Sequence, residues 1–300
     1  MKQNILDAWF PTPNFAKEAR HEEPVWRYVL EILAFALFFI IYLFFLLGRS
    51  ARLLYSFCGG WTPDMQVFCG LFPTIIGILL ALLFCRLVEG RRPRTLGFVK
   101  KGMGKDYAIG LAVGLVGFSF CIGLAAAFGV VRLDGFVPQI AWPSILLLFF
   151  GFMIQGMSEE VISRGYLMIT VAKKAPIWVG VLVSAIFFSC AHFSALRYPL
   201  TIINIILIGI FLSLFFLRRG SIWMAAGFHT AWNFTQGNFY GLAVSGHTAG
   251  SSVVRGEILP GSQLLTGGEF GLEGSIFVTV FVIIGIIVQL CIKPVDYSAA

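Results

Sequence analysis

Charge is what this chain has least of. Asp, Glu, Lys and Arg make up 12% of its 300 residues while 58% are hydrophobic. That is about half the charge of a soluble domain, which excludes an ordinary globular enzyme and points to a polytopic membrane protein. Cysteine is sparse too. Cys58, Cys69, Cys85, Cys121, Cys190 and Cys291 are scattered with no CxxC pair, so neither a disulfide framework nor a thiolate metal site is suggested. The chain has no HExxH, which removes the zincin helix, and no GxGD, which removes a paired-aspartate protease. A rhomboid-like GxSG fails at Ala243-Val244-Ser245-Gly246. Cys190 stands two residues from His192, on another helix face, so a local Cys–His dyad is not formed. No internal repeat is evident, against a transporter built from inverted halves. The formal charge of +7 reports membrane topology rather than nucleic-acid binding, so the expected partner is the bilayer and not a nucleic acid.

What is present is long apolar runs. Segments of about 20 apolar residues can each cross a bilayer. Eight such candidates occur at 28–47, 67–88, 107–131, 144–171, 177–196, 200–217, 221–234 and 275–292. The expected fold class is therefore all-α, a polytopic membrane helix bundle with about eight transmembrane helices. The third span carries Gly110, Gly114 and Gly117, which suit close packing on a neighbour, and the seventh is short for a full crossing. Arg86, Arg91, Arg92, Arg94, Lys100, Lys101 and Lys105 crowd one loop, and Lys173, Lys174, Arg218, Arg219 and Lys293 fall on the same side if there are eight crossings. The opposite loops hold only Arg49, Arg52, Arg132, Arg197 and Arg255. Positive-inside topology then places both termini in the cytoplasm and the Gly-rich segment 235–274 outside, as an ordered loop or re-entrant cap.

Against that apolar background, Ser158-Glu159-Glu160-Val161-Ile162-Ser163-Arg164 is an anomaly. A charge at that depth costs roughly 2.5 to 3.5 kcal/mol on insertion scales. Only three acids lie near span interiors, Glu31, Glu159 and Glu160, and Glu31 is close enough to an end to snorkel. Glu160 and Arg164 are four apart and share a helix face, so they can pair, which leaves Glu159 turned elsewhere. Both acids could simply neutralise the arginine, but one would suffice. Two histidines also fall within spans: His192, with Phe188 one turn earlier, and His229, with Asn233 one turn later. A Glu can take a proton from water, a His can orient that water or bind a metal that holds it, and His and Asn can donate to an oxyanion.

The series Glu159-Glu160-xxx-Arg164, Phe188-xxx-His192 and His229-xxx-Asn233, in that order on successive apolar helices, resembles the CPBP family. These are the CAAX-processing and bacteriocin-processing (ABI) intramembrane proteases, type II CAAX prenyl endopeptidases among them. The resemblance covers about residues 146–275, with Arg92-Pro93-Arg94-Thr95-Leu96-Gly97-Phe98 a looser upstream echo. It implies a glutamate-dependent membrane protease acting on a peptide or protein substrate, of the prenylated CAAX type or otherwise. Glu159 would be the catalytic glutamate and His192 its partner in activating water. His229 and Asn233 would stabilise the oxyanion, and Glu160, Arg164 and Phe188 would support them. The expected division is a cytoplasmic tail (1–26), three spans with a basic loop at 86–106 (27–143) and a catalytic membrane core with its long loop at 235–274 (144–300), the last being the part that resembles the family. The cofactor stays open between a divalent metal such as zinc, held by Glu159, His192 and His229, and none. Asn233 beside His229 favours the ion-free form. Members also include non-catalytic immunity and scaffold proteins, so that class, together with a small-solute carrier, is the alternative.

Overall fold

The computed structural model describes residues 5–20, 23–58, 62–247 and 250–295. All eight apolar segments are helices: α1 Val25–Phe57, α2 Pro63–Val88, α3 Met103–Ala127, α4 Trp142–Val171, α5 Ile177–Ala191, α6 Pro199–Arg219, α7 Trp223–Phe234 and α8 Ile276–Cys291. Five of them, α1 to α4 and α6, are long and apolar enough to cross a bilayer alone. The others are shorter than the roughly 20 residues a crossing needs. The chain is an integral membrane protein.

Helix ends follow local chemistry. Pro199 opens α6, where its missing N–H costs nothing, and Gly220 closes it in the left-handed conformation (φ 58°). Immediately past Glu160, α4 widens into a π-helical stretch, Val161–Met168, in which every residue is buried.

The glycines named in α3 do pack against neighbours: Gly110 and Gly114 against α7, and Gly117 against Phe281 of α8. A Cβ on Gly114 would stand 2.6 Å from the carbonyl of Phe228, and one on Gly110 would meet the backbone of Met224 and Phe228. In α4, a Cβ on Gly156 would stand 3.0 Å from the Thr230 nitrogen. Small residues thus let α7 seat closely against both α3 and α4, with van der Waals contact as the holding force.

Three expectations need correction. The bundle is not purely helical: β1 Val131–Phe136 pairs antiparallel with β2 Val254–Ile258, joining the α3–α4 connection to the long loop. Thr235–Phe239 continues α7 as a π-helical turn rather than starting a loop. Glu31 does not snorkel. It is buried, accepting from Lys173 Nζ at 2.5 Å and Arg27 Nε at 3.3 Å. Part of the N-terminal tail also packs down, with Phe15 edge-on to Phe216 in α6 at 5.4 Å.

Candidate active site

α4 and α7 bring the charged segment against His229, and α5 adds His192 beside the Phe188 ring. Glu160 and Arg164 pair as their spacing predicts, Nη1 to Oε1 at 2.8 Å, both fully buried. Arg164 also donates to the Gly209 carbonyl of α6 at 3.2 Å and lies over the Phe188 ring, 4.4 Å from its centroid. A guanidinium at this depth is tolerated because carboxylate, carbonyl and ring face share its charge.

The same Glu160 Oε1 lies 2.9 Å from His229 Nδ1. A carboxylate only accepts, so Nδ1 carries the proton whichever charge the ring bears, and Nε2 is the free nitrogen. Nε2 stands 3.6 Å from Glu159 Oε2, too far for a direct hydrogen bond. Glu159 is the accessible member of the pair, with its side chain 30% exposed against 7% for His229.

His192 is the first residue past α5, with non-helical φ −96°, ψ 70°. Its Nδ1 lies 2.8 Å from the Phe188 carbonyl, an acceptor, so this ring too is fixed with its Nε2 free. Phe188 is the common wall, 4.8 Å from the His192 ring and 5.9 Å from the His229 ring.

One participant escaped the sequence reading. Gln155, one turn before Glu159, donates from Nε2 to Glu159 Oε1 and accepts from Asn233 Nδ2 at 3.1 Å. Asn233 is therefore tied to Glu159 through this amide. The signal was available, a lone glutamine at i−4 of the glutamate, but a neutral amide has no charge to mark it.

A small cavity of about 20 Å³ is lined by His192, His229 and Asn233 together with Ser245, Phe270 and Glu273 of the long loop. Glu273 is buried there. It accepts from Ser245 N at 2.9 Å and from Trp232 Nε1 at 3.2 Å. Glu159 and His229 offer two donor atoms that face each other, but His192 is not gathered with them. Among the described residues no group of three or more His, Cys, Asp or Glu side chains is placed to hold a metal ion. The three-ligand set of a catalytic zinc site therefore does not fit this arrangement.

No curated protein and no solved structure matches the chain. A family model does: residues 141–235, which carry α4 through α7 and all three motifs, match the one described as type II CAAX prenyl endopeptidase Rce1-like, the family those motifs resemble.

Proposed function

We propose that this protein is a membrane-embedded endopeptidase that hydrolyses peptide bonds in a membrane-associated protein or peptide, using water activated by Glu159. The observation that carries this reading is the division of labour between adjacent carboxylates. Glu160 is occupied by Arg164 and His229, while the half-buried Glu159 keeps an unbonded Oε2 3.6 Å from a free imidazole nitrogen. A scaffold needs one acid to neutralise Arg164, and the second is surplus. In the proposed reaction Glu159 takes a proton from water, the hydroxide adds to the scissile carbonyl, and the proton passes to the leaving amine. We assign Nε2–H of the imidazolium form of His229 and Asn233 Nδ2 to the oxyanion, and the free Nε2 of His192 to accepting a hydrogen bond from the water. Phe188, Glu160 and Arg164 keep these groups in register. The basic end of the bundle faces the cytoplasm, with both termini, in the cell membrane if the host is bacterial.

The test is turnover of a panel of peptides and lipidated peptides in proteoliposomes. Glu159→Gln should leave thermal unfolding unchanged and lower the rate by about 10² to 10⁴. Near-normal turnover by that variant would remove Glu159 from the role.

A further inference from the structure

The two ends of the bundle differ in charge, and the cavity lies at one of them. At the first end, Arg27 donates to the Val88 carbonyl, Lys173 reaches Glu89 at 3.5 Å, Arg219 binds Asp106, and Arg218 donates to the carbonyls of Trp9 and Ile292. These contacts gather the tail, the 86–105 loop, the α4–α5 and α6–α7 turns and the stretch after α8. That end carries Arg92, Arg94, Lys100, Lys101 and Lys105 besides. At the second end, Ser251 N donates to Asp64 at 2.6 Å, β1 pairs with β2, and Asn204 donates to the Glu273 carbonyl at 2.8 Å. Among the described residues its Lys and Arg side chains are Arg49, Arg52, Arg132, Arg197 and Arg255. The imbalance places the first end in the cytoplasm.

The cavity belongs to the second end. His192 caps the end of α5 there, and Ser245, Phe270 and Glu273 come from the loop that covers it. The path toward the first end is solid. Arg164, Tyr166 and Met168 have no exposed surface, and Leu96 and Phe216, equally buried, fill the same core. Below them the ion cluster of Glu31, Glu89, Arg91 and Lys173 closes the exit.

We infer that the site takes its substrate from the extracytoplasmic side: a translocated peptide, or the outer portion of a membrane-anchored protein, rather than a carboxyl terminus presented by the cytoplasm. This rests on the peptidase reading for the word substrate, but the direction of access does not. A lipidated C-terminal motif made in the cytoplasm would have to cross the bilayer, or the Tyr166–Met168 core would have to unpack, before it met Glu159.

Cysteine accessibility decides the direction without any turnover. In a background with the exposed Cys190 and Cys291 replaced by serine, His192→Cys reports the cavity, Ser245→Cys its roof and Lys101→Cys the basic loop. A membrane-impermeant methanethiosulfonate reagent is applied to intact cells and to inside-out vesicles. Lys101→Cys should react only in inside-out vesicles, and His192→Cys and Ser245→Cys only in intact cells. Reaction of all three from one side, or no reaction of either cavity reporter from either side, would overturn the inference. Because labelling needs no catalysis, retained activity in Glu159→Gln would sink the peptidase reading and leave the access result standing.

Discussion

His229 Nδ1 stands 2.9 Å from Glu160 Oε1, the oxygen that also accepts from Arg164 Nη1. One carboxylate thus orients the imidazole and neutralises the guanidinium. Removing its charge strands Arg164 in an apolar interior. Breaking a buried pair from one side costs about 3 to 5 kcal/mol. Glu160→Gln is therefore expected to unfold far more readily in detergent than the native chain. The double variant Glu160→Leu with Arg164→Leu should lose much less than the sum of the two single changes, because it strands no charge. Unfolding of the four proteins in a double-mutant cycle measures this, and additive losses would break the proposed coupling.

Gln155 makes a different prediction. It touches no charge other than Glu159, so its loss should misplace the carboxylate without destabilising the bundle severely. A displacement of about 1 Å at a reacting group can cost 10²-fold in rate. Gln155→Leu is expected to lower kcat by about 10 to 100-fold with KM little changed. A fall in KM-governed affinity with kcat intact would assign Gln155 to substrate binding instead.

Much of this was legible in the sequence. Runs of apolar residues marked all eight helices, five of them at the length a bilayer crossing demands. The spacing of four gave the Glu160–Arg164 pair, and it set Phe188 beside His192. The imidazole nearest Glu159 could not be read off, since it depends on how closely α7 seats against α4, where Gly156 faces Thr230. Glu273 was illegible for another reason: an acid in a long Gly-rich loop looks solvated, yet it is buried between Trp232 and Ser245. β1 was missed because Val131-Arg132-Leu133-Asp134-Gly135-Phe136 is short and exposed at all but its first residue.

The α3–α7 contact can be tested at its glycines. A Cβ on Gly110 would enter the backbone of Met224 and Phe228, whereas one on Gly123 in the same helix meets nothing within 4 Å. Overpacking typically costs about 1 to 3 kcal/mol. Gly110→Ala should therefore lower the unfolding temperature and, by pushing away the helix that carries His229 and Asn233, depress turnover as well. Gly123→Ala should change stability by no more than about 0.5 kcal/mol. Equal behaviour of the two variants in a thermal melt would show that the close approach does not matter.

The last prediction concerns pH, and it lies outside the spans. Glu89 follows α2 and Lys173 follows α4. Glu89 accepts from Arg91 Nε at 2.5 Å and Thr170 Oγ1 at 2.8 Å, and Lys173 reaches Glu23 at 2.8 Å and Glu31 at 2.5 Å. Burial pushes the Glu89 carboxyl up, but the charges of Arg91 and Lys173 outweigh it and hold Glu89 below its ordinary range. Burial pushes the Lys173 ammonium down, but Glu89, Glu23 and Glu31 outweigh it and hold Lys173 above its ordinary range. A carboxylate depressed on folding adds stability above its unfolded pKa and loses it as pH falls through the folded value. An ammonium raised on folding adds stability below its unfolded pKa and loses it as pH rises through the folded value. The cluster should hold the basic end together from about pH 5 to 10 and weaken on both flanks, given ordinary carboxyl and lysine values of about 4 and 10.4. Thermal unfolding in detergent across pH reads this directly. Glu89→Gln should lower the plateau and flatten the acid flank, and Lys173→Met should do the same on the alkaline side. An acid flank equally steep in Glu89→Gln would place that titration on another carboxylate.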